Sequence, residues 1–349
     1  MSQKILPIGA PPIIGYLHHA YPLSILSQNN SFLPWFFSHY IQLFCPLDIS
    51  DGPDPARKRK FNFYRPPNCD YTCSPRLEMT YISRRIIDKN NLIAFIRDTI
   101  EQNEYVQICI DEYYIPEKSV YRKRHLIHEI LICGYDDISS QTTTLGFNRQ
   151  GDFAPSKVSY ENLIRAYSDL NLTNHYDQAG ICAFRYNSQP NCDFDKNLLT
   201  ESLADYLLSS NTSERFRMLA PPIDGVFGLN VYPCLINQCK ALLSHPEWFD
   251  IRPLHILWEH KKCMLNRLQF METSYYLNAT ASFSLSYRDI EKQAQILRMM
   301  MLKLRTTKNS AILIRIIDGL EKMACNEKNL LSSVLNMLDP SYLNQSNTK

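Results

Sequence analysis

Two rhythms of apolar and polar positions divide the 349 residues. Up to about residue 187, apolar side chains come in short runs bounded by polar turns, the pattern of strands. The clearest run covers His125 to Tyr135, where Ile127, Ile130, Leu131 and Ile132 predict a strand buried on both faces. A turn at Asp136 and Asp137 leads into a second strand over 142–147, which completes a hairpin. Shorter strands are expected over 80–87, 105–115 and 179–186. Helical spacing appears over 91–102 (Leu92, Ile93, Phe95, Ile96, Ile100) and over 159–170, with Ser159 as N-cap. Near the start, 1–15 reads as an extended lead-in. Pro22 is tolerated only in a first helical turn, so a helix is expected to begin near His19 or Ala20. The aromatic stretch 31–45 predicts a second buried helix or strand.

The polar stretch 187–193 closes this half. Beyond it the period changes to that of helices, over 196–209, 232–243, 253–278, 284–306 and 309–338. The expected organisation is therefore α+β, with one domain over 1–190 and an all-helical domain over 191–349.

Composition narrows the function classes. A net charge of +2 gives no electrostatic case for nucleic acid as a partner. Glycine is scarce, with 10 residues, and no Gly-rich phosphate motif is present. No run of 18 apolar residues exists and Pro7, Pro11 and Pro12 interrupt the N-terminal stretch, so neither a membrane span nor a signal peptide is expected. Eleven cysteines, several in apolar runs, read as small core residues of a reducing, cytoplasmic compartment. Cys69 and Cys73 form a single Cys-x3-Cys pair with no second pair, so no metal site is expected. The basic run Arg57 to Lys60 reads as a solvated loop, and 344–349 as a frayed tail.

The chemistry concentrates on the hairpin. His128 stands at the mouth of the buried strand, and a histidine there can act as a base if an amide or carboxylate fixes its tautomer. Asn148 is the expected partner, with Asp152 and Asp137 as rivals. Asp111 and Glu112 close the preceding strand and are candidates for binding an amine, or simply solvated acids. His125 reads as structural. In the second half, Trp258 reads as core, and His260, Lys261, Lys262 and Arg267 as a solvated cationic face or as a contact for an acidic carrier protein or its phosphopantetheine.

The run His128, Gly134-Tyr-Asp-Asp137 and a following Asn/Asp turn, with Ile110-Asp-Glu-Tyr-Tyr-Ile-Pro116 and Phe153, resembles the histidine half of papain-like cysteine peptidases. Within these it is similar to the leader-peptide-cleaving peptidase domains of bacteriocin exporters, and the extended pattern resembles the N-terminal domain of the butirosin-biosynthesis protein H family. The stretch from Asp250 to Met264 resembles that family's helical half. The resemblance implies a papain-like fold and an acyltransferase of natural-product, nonribosomal-peptide-type pathways. Such a protein moves an acyl group from a carrier-protein thioester through a cysteine acyl-enzyme to a small amine acceptor; with water as acceptor, the same residues would make a cysteine peptidase or thioester hydrolase. The phosphopantetheine arm of the carrier would bring the substrate, and no cofactor is implied. The family's His-Cys start matches His19 and Ala20, so alanine stands at the nucleophile position. A Cys→Ala replacement, a natural pseudoenzyme, or a nucleophile elsewhere at Cys45, Cys69 or Cys73 would each account for it. No glutamine precedes this position to supply an oxyanion donor, which leaves backbone N–H groups at the helix start, with His18 or His19. On this reading the site comprises the Ala20 position, His128 and Asn148, with His19, Asp111 and Tyr135 against the substrate.

Overall fold

The computed structural model describes residues 2–47, 61–66, 74–170 and 180–341. In chain order its elements are β1 (Gln3–Ile5), α1 (Leu17–Leu26), α2 (Leu33–Ser38), β2 (Leu43–Pro46), β3 (Asn62–Phe63), β4 (Leu77–Ile82), α3 (Leu92–Glu101) and β5 (Glu104–Asp111). There follow β6 (Ile127–Asp136), β7 (Gln141–Phe147), β8 (Phe153–Ser159), α4 (Tyr160–Ser168) and β9 (Ile181–Tyr186). The last are α5 (Lys196–Leu208), β10 (Gly225–Phe227), α6 (Val231–Ser244), α7 (Arg252–Thr273), α8 (Phe283–Thr307) and α9 (Ala311–Leu338). The class is α+β with antiparallel sheets and a C-terminal helical region. Among the described residues no helix is long and apolar enough to cross a membrane. The basic run at Arg57, the Cys69–Cys73 pair and the tail lie outside the described residues.

The chain forms two compact units. The first holds residues up to Phe32 and from 74 to Cys192; the second holds 33–47, 61–66 and the described residues from Asp193 on. The break after Cys192 falls beside the expected 190/191 boundary. The aromatic stretch from Leu33, however, departs from the expected organisation by joining the helical unit.

The first unit is built on a seven-stranded antiparallel sheet ordered β4-β9-β5-β6-β7-β8, with β1 also pairing to β6. β5 and β6 are central, and residues 105–111 and 130–135 are buried on both faces without a break. That is why their sequences read as continuous apolar runs. β1 lies against the end of β6, where Gly134 is needed: a Cβ there would sit 2.7 Å from the Lys4 carbonyl oxygen. α1 starts at Leu17, earlier than expected, and carries Pro22 in its interior. Nine of its ten residues are buried. That packing offsets the ladder bond Pro22 cannot make.

The second unit is not purely helical. It contains a three-stranded antiparallel sheet, β10-β2-β3. Around it, α7, α8 and α9 run consecutively against one another, and α9 also packs on α5 and α6. The expected cationic face of α7 is instead largely core. His260, Lys261 and Arg267 are buried and only Lys262 of these four side chains is exposed, while Trp258 is half-buried with its indole N–H donating to Glu291. Lys261 donates to Glu327 on α9, which also accepts from the hydroxyls of Tyr206, Tyr232 and Tyr287. The guanidinium of Arg267 donates to the carbonyls of Phe37 (2.6 Å), His39 (2.6 Å) and Tyr40 (3.2 Å), which closes the open end of α2.

Candidate functional site

The antiparallel register of β5 and β6 sets Ile110 opposite His128 and Asp111 opposite Ile127. The chain leaves β5 at Asp111 in a short 3-10 turn, Glu112–Tyr114. This brings two consecutive carboxylates to the start of β6, and each takes one histidine. His128 donates from Nδ1 to Glu112 at 3.0 Å. His125 donates from Nδ1 to Asp111 at 2.5 Å and stacks on Tyr113 with ring centroids 4.2 Å apart. Asp111 is buried and also accepts the backbone N–H groups of Tyr113 and Leu126, both at 3.0 Å. With Nδ1–H committed to a carboxylate, the remaining Nε2 of either ring is the nitrogen that can accept a proton. The His128 side chain is 44% exposed, so that nitrogen belongs to an open part of the unit.

Glu112 is held from a second side. The buried Lys118, in the loop after the 3-10 turn, lies 3.4 Å from the same carboxylate oxygen and donates to the Phe147 carbonyl at 2.9 Å. Burial works against the Glu112 carboxylate, but the His128 hydrogen bond and the Lys118 charge outweigh it and hold its carboxyl below the ordinary glutamate range. The lysine head fits because residue 146 is glycine: a Cβ there would lie 2.9 Å from Lys118 Nζ and 3.3 Å from the Tyr21 hydroxyl. Tyr21 in turn donates to the Glu129 carbonyl at 3.0 Å. Burial, then the Glu129 and Glu112 charges, push its hydroxyl well above the ordinary range, so it serves as a neutral donor.

Tyr21 ties α1 to the strand that carries His128, and Ala20 is its neighbour. Ala20 is fully buried. It lies a turn inside α1, and its N–H donates to the Tyr16 carbonyl at 3.0 Å, as does that of His19. Neither amide is therefore disposed toward an oxyanion. A cysteine at this position would also sit deeper in the helix than the expected start near residue 19 or 20 implied.

The remaining expected residues make the following contacts. Asn148 turns its Oδ1 to the backbone N–H groups of Gln150 (3.0 Å) and Asp152 (2.9 Å), shaping the turn between β7 and β8, while Glu112 holds the His128 ring. Asp152 is exposed in that turn. Asp137 accepts from Arg97 at 2.7 Å and from Tyr160 at 3.0 Å. Tyr135 is buried, with its hydroxyl bonded to Ser2 and Glu101. His19 is buried within α1 and packs against His18 with ring centroids 4.2 Å apart. Cys45, a possible alternative nucleophile, belongs to β2 of the second unit.

Sequence reasoning weighed Glu112 only as an amine-binding or solvated acid and passed over Lys118 and Tyr21. Only the cross-strand register aligns Glu112 with the start of β6. Lys118 lies in an irregular loop with no periodicity to flag it. Three cysteines of this unit do not resemble activated nucleophiles. Cys109, Cys133 and Cys182 are buried, and burial pushes their thiols up to about 12, about 11 and about 11. No group of metal-ligating side chains forms among the described residues. Among the described residues the arrangement thus offers a carboxylate-oriented imidazole able to take a proton, while Cys109, Cys133 and Cys182 remain protonated core thiols. Compared with known proteins, the chain matches no protein-family model and no curated protein.

Proposed function

We propose that the first unit is a noncatalytic relative of papain-like acyltransferases, of the kind the sequence resembles. It binds an acyl or peptidyl thioester on the phosphopantetheine arm of a carrier protein in a natural-product pathway, without forming an acyl-enzyme. One observation carries this reading: His128 is held by the Glu112 carboxylate, yet position 20 is a fully buried alanine and the thiols of Cys109, Cys133 and Cys182 are protonated core groups. A covalent acyl-enzyme needs a nucleophile beside its base. Among the described residues, His128 and Glu112 supply the base half. The His128–Glu112 pair favours one second reading, in which His128 takes a proton from water and the thioester is hydrolysed directly.

The test incubates the full chain with acyl-phosphopantetheine and follows binding by calorimetry and thioester content by mass spectrometry. The expected result is binding with the thioester intact and the protein mass unchanged. In Ala20→Cys an acyl adduct is expected on the new thiol, and it disappears in Ala20→Cys/His128→Ala. Consumption of the thioester by the unaltered chain would establish the hydrolase instead, and absence of binding would remove both readings.

A further inference from the structure

In the second unit two thiols meet that no part of the proposed site uses. Cys45 on β2 and Cys234 in the first turns of α6 place their Sγ atoms 2.8 Å apart. That distance is far shorter than a neutral sulfur contact and approaches the roughly 2.05 Å of a covalent S–S bond. The side-chain amide of Gln238, one turn along α6, lies 3.8 Å from both sulfurs. β2 is fixed by its pairing to both β10 and β3, so the thiols are held together by the fold and not by chance rotamers. The two positions are 189 residues apart in sequence, so a bond between them would close just over half of the chain into a loop.

We infer that Cys45 and Cys234 are an oxidant-sensitive pair that a peroxide converts to a disulfide, joining β2 to α6. Cys234 is the more exposed of the two, at 8% against 0%, and meets the oxidant first. Its sulfur attacks one peroxide oxygen. The S–O bond forms, the O–O bond breaks, and the departing hydroxide leaves as water with the thiol proton. Cys45 then displaces the sulfenic hydroxyl. The S–S bond forms, the S–O bond breaks, and a second water carries away the second thiol proton. Two electrons pass from the two sulfurs to one peroxide, and a small thiol reverses the change. The unit holds its own comparison: Cys239 and Cys263 are equally buried, with thiols pushed up to about 12 by that burial, and neither has a sulfur partner among the described contacts.

The test treats the native full-length protein with hydrogen peroxide, alkylates remaining thiols, digests without reductant and maps the peptides. A peptide pair linking Cys45 to Cys234, lighter by two hydrogens and separated by dithiothreitol, is expected, with Cys239 and Cys263 still alkylated. The thermal midpoint should rise on oxidation, return on reduction, and stay unresponsive in Cys234→Ser. If both thiols remain alkylatable after oxidation, or pair with other cysteines instead, the inference is overturned. The mapping needs no substitution, so a variant that folds poorly does not decide the outcome.

Discussion

Lys261 and Glu327 lie 2.7 Å apart, and neither side chain has any solvent exposure. Glu327 stands in the buried stripe of α9, between Met323 and Leu331, where the spacing calls for an apolar residue. The other donors to Glu327 come from α5, α6 and α8 through Tyr206, Tyr232 and Tyr287. Lys261 also reaches His260 Nδ1 at 3.1 Å while His260 Nε2–H donates to the Ile41 carbonyl at 2.8 Å. Burial and the Lys261 charge push His260 well below its ordinary range, so it is a neutral ring with a fixed tautomer.

The two ends of this network are not equivalent. Glu327→Leu strands three hydroxyls and an ammonium, whereas Lys261→Met leaves the carboxylate with three hydroxyl donors. Removing one partner of a buried pair costs about 3–5 kcal/mol. Chemical denaturation should show Glu327→Leu at or beyond that range and Lys261→Met below it. Equal losses would mean that the tyrosines contribute little.

Glu112 predicts a pH dependence. Its carboxyl is held below the ordinary value in the folded chain. The stabilisation it gives is therefore complete above the unfolded glutamate range, near pH 4.3, and fades as pH falls through the lower folded value. Glu112→Gln should destabilise by about 2 kcal/mol at neutral pH, the scale of a charged hydrogen bond. The gap between the two proteins should narrow below roughly pH 4. Thermal melts from neutral to acid pH measure it, and a constant gap would contradict the assignment.

Arg267 answers three carbonyls with one planar fork. Arg267→Lys keeps the charge but loses that geometry, and a loss of about 2–4 kcal/mol is expected. Hydrogen exchange should then quicken around 37–41, ahead of the rest of the unit.

Gly134→Ala places a methyl against the backbone of Lys4 and Ile5. Overpacking of this kind costs about 1–3 kcal/mol. The first element to yield is β1, so amides of residues 3–6 should lose exchange protection while β5 and β7 keep theirs.

The long helices were legible because their apolar spacing persists over many turns: α8 and α9 begin and end within two residues of the periodic segments read from sequence. Ser159 caps α4 as its chemistry suggests, accepting the Asn162 N–H at 3.2 Å. β8 was missed because it is an edge strand with Pro155 in its middle and only one buried residue, so neither alternation nor propensity marks it. The start of α1 was misplaced because tertiary burial overrode the proline rule. The histidine of the candidate site was visible as an anomaly in a buried strand. Its partner was not, because turn geometry commits Asn148 to backbone N–H groups and strand register brings Glu112 to the ring, and residue type alone reveals neither.

The allocation of residues 33–47 and 61–66 to the helical unit makes the two units interleaved along the gene. No single cut separates them. A fragment ending at residue 190 would carry off the strand ribbon that its neighbour folds around. The complementary fragment would keep Arg267 without the carbonyls it closes and Cys234 without Cys45. Cutting and rejoining such a chain would preserve both units only if they were exchanged together.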